Sequence, residues 1–139
     1  MNFLLDTNIV SEARRPMGDQ GVKGWLDTTP GENLFLSVLI IGEIELGIAR
    51  LQQRDLVQAA MLDRWLTILR KNYASRILPV TLQIAERWGP LNVPDRLPLI
   101  DGLLAATALV HDLTLVTRNT RDVAPTGVRL FNPFENRQP

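Results

Sequence analysis

Short apolar runs alternate along this chain with longer stretches whose apolar positions recur at helical spacing. Phe3-Leu4-Leu5 stops abruptly at Asp6, and Leu34-Phe35-Leu36-Ser37, Ile77-Leu78-Pro79-Val80, Leu113-Thr114-Leu115-Val116 and Val128-Arg129-Leu130-Phe131 are built alike. Runs this short, bounded by turn residues, read as buried strands. Pro79 marks a strand end or edge position. Between the strands lie helical stretches: Ile9–Arg15 halted by Pro16, Val22–Leu26 closed by Pro30-Gly31, and a long helix from Val38 to Gln53. A further helix starts at an Asp55 cap and reaches Tyr73, with Leu56, Ala59, Ala60, Leu62, Leu66 and Leu69 as its apolar stripe. Leu82–Trp88 and Ile100–Val110 complete the set, separated by a stretch that Pro90, Pro94 and Pro98 break up. Strands alternating with helices predict an α/β fold, a three-layer sandwich with a mostly parallel central sheet of about five strands. The reading is one domain over residues 1–135 and a polar tail over 136–139.

Three acids interrupt this pattern where a surface residue does not belong. Asp6 ends a buried strand, and ligands in open α/β sheets bind beyond the carboxyl ends of the strands. Asp101 shares a helix face with Leu104, Ala105 and Ala108, and Glu43 with Leu39, Ile40 and Gly47. An unpaired carboxylate on such a face costs several kcal/mol or must shift its pKa. A helix cap or a buried ion pair explains each acid singly, and capping fits Asp101 because it stands near its helix start. Gly47 in mid-helix points to a close approach of backbone or partner. Three such acids converging on one sheet edge make an all-oxygen pocket suited to Mg²⁺ or Mn²⁺. The chemistry such a pocket favours is phosphodiester cleavage by metal-activated water.

Composition narrows the options. At 139 residues and 15.6 kDa, with 45% hydrophobic and 22% charged residues, the chain has the make-up of a globular protein. Its formal net charge of zero supplies no global pull toward nucleic acid or acidic lipid. Thirteen of the 15 basic residues are arginine, spread along the chain rather than clustered. The absence of cysteine excludes disulfides, thiolate metal sites and cysteine nucleophiles. No stretch approaches the roughly 18 apolar residues of a membrane span, and the first apolar run is too short for a signal peptide. The expectation is a cytoplasmic protein without membrane contact. The one histidine, His111, sits beside Asp112 at a helix end, where a solvated or capping role suffices.

Four segments resemble, in order, the signatures of the PIN-domain family, and in particular its VapC-type toxins in a FitB-like branch. These are Asp6-Thr7-Asn8-Ile9-Val10-Ser11-Glu12, Ile41-Gly42-Glu43-Ile44-Glu45-Leu46-Gly47, Asp101-Gly102-Leu103-Leu104-Ala105-Ala106-Thr107-Ala108 and Leu115-Val116-Thr117-Arg118-Asn119-Thr120-Arg121-Asp122. The ending Phe131-Asn132-Pro133-Phe134 is similar to the family's last strand and tail. The resemblance implies the toxin of a bacterial type II toxin–antitoxin pair, a Mg²⁺- or Mn²⁺-dependent endoribonuclease with Asp6, Glu43 and Asp101 as metal ligands. It also implies a homodimer held inactive in a hetero-oligomer with its antitoxin, through which alone it meets DNA. The chain departs from the family at the fourth acid, since the matching position is Asn119. That residue lies two beyond the end of a strand taken as Leu113–Thr117 and can reach the Asp6 crevice, so Asn119 and Thr117 join the expected site. Asp122, five beyond, is left between site and turn duty.

Other classes fit less well. A haloacid-dehalogenase phosphatase needs a second aspartate where Asn8 stands, and a receiver domain needs a late lysine, whereas the two lysines are Lys23 and Lys71. The serious alternative is a catalytically weak PIN-fold partner that regulates through an antitoxin–DNA complex.

Overall fold

The computed structural model describes residues 1–135, so the expected polar tail, 136–139, lies outside the described residues. Five strands form one sheet: β1 (Phe3–Leu5), β2 (Leu34–Ser37), β3 (Ile77–Leu78), β4 (Thr114–Val116) and β5 (Leu130–Phe131). Their order is β3-β2-β1-β4-β5, and every neighbouring pair is parallel. Parallel neighbours cannot be joined by tight hairpins, so helices carry the chain back each time. These are α1 (Thr7–Arg14), α2 (Gln20–Thr28), α3 (Val38–Gln52), α4 (Leu56–Asn72), α5 (Leu82–Leu91), α6 (Leu99–His111) and the single turn α7 (Thr120–Val123).

The topology fixes where a site can form. From β1 the chain moves outward to β2 and β3, then crosses to the other side of β1 for β4 and β5. The order therefore reverses between β1 and β4, the position at which open α/β sheets leave a crevice beyond their strand ends. The register places Leu5 opposite Val116. The next residues, Asp6 and Thr117, thus leave the sheet side by side at that crevice, and the Asp6 N–H still bonds the Val116 carbonyl at 3.0 Å.

The core is continuous across the sheet. Leu4, Leu5, Leu36, Leu115 and Val116 are fully enclosed, with Ile40, Ile44 and Ile48 of α3 against them and Leu104, Ala105 and Ala108 of α6. Trp25 of α2 closes the β1–β5 side, its ring 5.0 Å from Phe3 and 5.1 Å from Phe131.

Several boundaries differ from the sequence reading for local reasons. Helix α1 begins at Thr7 rather than Ile9 because Asp6 caps it, accepting from the Thr7 N–H. Strand β3 stops at Leu78, where Pro79 has no N–H for a ladder bond. Helix α5 runs on to Leu91 and takes Pro90 into its last turn. On α4 the expected stripe holds for Ala59, Leu62, Leu66 and Leu69, but Leu56 and Ala60 are exposed. Leu56 is the first residue of the helix, just past the α3–α4 turn. No close backbone approach meets Gly47 among the described residues, since a Cβ there would meet the Leu62 side chain at an ordinary 3.8 Å. The tight glycine is Gly102: a Cβ would stand 3.0 Å from Nε1 of Trp88, so its lack of side chain lets α5 pack onto α6 beside Asp101.

Candidate active site

A cavity of about 370 Å³ opens at the β1–β4 switch point, and its walls include Asp6, Glu43, Asp101 and Asn119. Residues from four separated parts of the chain thus reach one hollow, as the sequence anticipated. Asp6 is the fixed member. It is 6% exposed, and both carboxylate oxygens are held. Oδ1 accepts from the Thr7 N–H at 2.7 Å, while Oδ2 accepts from the Thr117 hydroxyl at 2.7 Å and the Asn8 amide at 3.4 Å. Burial pushes its pKa above the ordinary carboxylate value, against the opposing pull of those hydrogen bonds.

Thr117 is itself 1% exposed and does not line the cavity. It stands behind Asp6, donating to it and accepting from the Asn119 N–H at 3.0 Å. Its role is to aim its neighbours. Thr7 does the same for Glu43, whose Oε1 accepts from the Thr7 hydroxyl. Glu43 is half-buried beside the Ile40–Ile44–Ile48 stripe of α3, not within it. Asn8 completes the Asp6-Thr7-Asn8 run by accepting from the Arg118 N–H at 3.3 Å, which ties α1 to the loop after β4.

Asp101 sits in the first turn of α6, but the cap reading fails. The N-cap residue is Pro98, and the Asp101 carboxylate accepts no hydrogen bond among the described residues. Half-buried and unbonded, it is pushed up to about 6, first by burial and then by the charges of Asp6, Asp122 and Glu43. The alternative of a buried ion pair fails as well, because neither ion pair among the described residues includes Asp6, Glu43 or Asp101. Asp122 reaches the site only through this field. It is exposed and lines an adjoining hollow with Arg118, Asn119 and Arg121.

Several wall residues carried no signal of their own in the sequence. Asn8, Ser11 and Glu12 line the cavity from one face of α1, and Arg15 joins them from the extended residue just past the helix end. Arg118 and Phe134 form its lip, the guanidinium carbon 4.2 Å from the ring centroid. The i, i+3, i+4 spacing of Asn8, Ser11 and Glu12 was a signal for the helical members of the first group. Nothing local linked Arg118 to Phe134.

The donor set suits a hard cation. It is all oxygen, it concentrates negative charge, and the unbonded Asp101 carboxylate has a free coordination face. Among the described residues no three Asp, Glu or His side chains stand close enough to enclose a metal ion.

Comparison with known proteins agrees with this geometry. The PIN domain family model matches residues 3–124. Toxin FitB of Neisseria gonorrhoeae is 31% identical, covering 96% of this chain and 99% of its own. VapC ribonuclease Y4jK of Sinorhizobium fredii is 29% identical, over 96% and 98%. The solved structure of FitAB bound to an IR36 DNA fragment superposes with a TM-score of 0.87 at 31% identity, over 95% of both chains. With one family model spanning most of the chain, relatives matched nearly end to end, and Asp6, Glu43 and Asp101 gathered at this chain's switch point, this chain belongs to the PIN-domain family, alongside its FitB and VapC toxins.

Proposed function

We propose that this protein is the toxin of a type II toxin–antitoxin pair and acts as a divalent-metal-dependent endoribonuclease in the cytoplasm. The observation that carries this reading is the gathering of Asp6, Glu43, Asp101 and Asn119 around one cavity, with no nucleophilic serine, cysteine or histidine paired to a base there. The names of the relatives, a toxin and a ribonuclease, support the same reading.

Asp6, Glu43 and Asp101 would hold Mg²⁺ or Mn²⁺. When bound, the cation supplies the positive charge that acidifies water and offsets the charge gathering on the phosphate. The remaining work belongs to the chain. Thr117, Thr7 and Asn8 hold Asp6 in place, and their hydrogen bonds oppose the effect of burial on its charge. Thr7 holds Glu43 at the wall, which keeps that carboxylate from swinging into solvent. Asp101, lacking a hydrogen bond, is free to turn toward a ligand. The amide oxygen of Asn119 accepts from the attacking water and orients it without adding negative charge. No carboxylate stands at this position, so a second cation would be held weakly without substrate phosphate.

The partner is an antitoxin whose acid-capping segment closes the cavity, and the toxin works as a homodimer within that complex. A net charge of zero leaves DNA contact to the antitoxin. Incubating purified, antitoxin-free protein with RNA tests the reading. Cleavage in Mg²⁺ or Mn²⁺ that stops in chelator is the expected result. Intact RNA under all conditions favours the catalytically weak regulatory partner instead.

A further inference from the structure

We propose that Arg118, braced on Phe134, is a substrate-positioning residue that grips a phosphate of the RNA strand next to the bond being cut; this rests on the ribonuclease reading above. The cavity poses a problem for any nucleic acid. Its acids repel the phosphates that must pass over them, and the chain offers no net positive charge in compensation. A cation fixed at the lip is therefore needed, and it must not collapse onto the acids it stands beside.

Two arginines line this cavity, and they differ. Arg15, just past the end of α1, pairs with Glu12 at 3.5 Å. Arg118 shares the hollow with Asp6, Glu43 and Asp101, yet makes no ion pair among the described residues. Its guanidinium lies instead on the Phe134 ring. That ring is anchored: the Phe134 N–H donates to Oδ1 of buried Asn132 at 3.0 Å, and the side chain packs against the core. The backbone of Arg118 is tied as well, through its N–H to Asn8.

The consequence is a guanidinium whose face is occupied by an aromatic ring and whose N–H edge stays free. A stacked arginine in that state is suited to fork onto phosphate oxygens. Arg118 also lines the neighbouring hollow, where with Arg121 it faces the acids Asp122 and Glu135 beside Asn119. It therefore stands on the ridge between two depressions, where a strand with one phosphate over the acids carries the next one along.

Binding of a single-stranded RNA oligonucleotide is measured by fluorescence anisotropy over a salt series, with every variant built in an Asp101→Asn background so that the complex survives. Steady-state cleavage is measured with Asp101 restored. Arg118→Ala is expected to weaken binding and raise KM about tenfold, with kcat within about threefold of the parent. Its log affinity against log salt should flatten by about 0.7, the loss of one phosphate contact on a single strand. Arg118→Lys restores the slope but not the full affinity, and Phe134→Leu, which keeps the apolar packing, weakens binding without flattening the slope. Arg70→Ala, which removes the same charge from a hollow near the β3 edge, serves as the charge control. An Arg118→Ala slope and KM equal to those of Arg70→Ala overturn the proposal. So does an effect confined to antitoxin affinity. Failure of the parent to bind or cleave RNA overturns the ribonuclease reading with it, and is read separately from the variant comparison.

Discussion

The hydroxyl of Thr117 donates to Oδ2 of Asp6 at 2.7 Å across 111 residues of sequence. This bond joins the carboxyl ends of β1 and β4 and holds the most buried acid of the site. Thr117→Val keeps the shape and removes the donor, so it should destabilise the fold by about 1.5–3 kcal/mol, the range for a hydrogen bond to a charged group. Cleavage should fall about 10- to 100-fold, as when the support of a metal ligand is lost. Thr117→Ser should retain most of both. Chemical denaturation and initial rates check this, and a Thr117→Val protein with parental activity contradicts it.

The raised pKa of Asp101 makes a pH-dependent stability statement. Its folded value, about 6, lies above the ordinary aspartate value of 3.8, so the metal-free folded state holds more protons than the unfolded chain between those limits. Stability from this group is therefore full at low pH and is lost as pH rises toward and past 6. Asp101→Asn should stabilise the metal-free protein at pH 7.5, by a few tenths to about 1 kcal/mol for charges this exposed. The gain should shrink toward pH 5. Melting curves in chelator at the two pH values check it, and a gain that grows on acidification contradicts it.

Asp122 acts on Asp101 through its field and lies outside the cavity wall that Asn119 helps to form. Asp122→Asn should lower the pKa of Asp101 below about 6, followed by carboxyl NMR titration, and cost far less activity than Asp101→Ala. Asn119→Asp should raise occupancy of a second cation in calorimetric titration. Equal losses for Asp122→Ala and Asp101→Ala would make Asp122 the fourth acid of the site.

An antitoxin segment that delivers an arginine into the acids should compete with the cation, because a guanidinium forks onto two carboxylates. Mg²⁺ affinity measured by calorimetry should fall when the cognate antitoxin is bound. Equal affinity with and without it excludes this way of blocking the site.

The fold and the three acids were legible in the sequence because each left a local trace. Phe3-Leu4-Leu5 stops at an acid, and Asp101 and Glu43 each break an apolar helix face. Burial sharpened those traces differently: Asp6 is enclosed, while Glu43 and Asp101 are half-buried at the edge of the core. The supporting bonds were not legible, since Thr7 to Glu43 and Thr117 to Asp6 depend on strand order. Strand order follows from which helices cross the sheet and where, which no short window records. Arg118 on Phe134 is a contact of the same kind, joining the β4 loop to the segment after β5. Boundaries moved where capping or proline chemistry acted on single residues, as at Asp6 and Pro79.

The most direct test of the central claim is the rate of RNA cleavage in Mn²⁺ by the antitoxin-free protein, compared with Asp6→Asn and Asp101→Asn. Each substitution replaces one carboxylate oxygen with an amide nitrogen and keeps the side chain's size. The account predicts parental cleavage that depends on Mn²⁺, and at least a hundredfold loss in both variants with folding intact. Parental rates in either variant would contradict it.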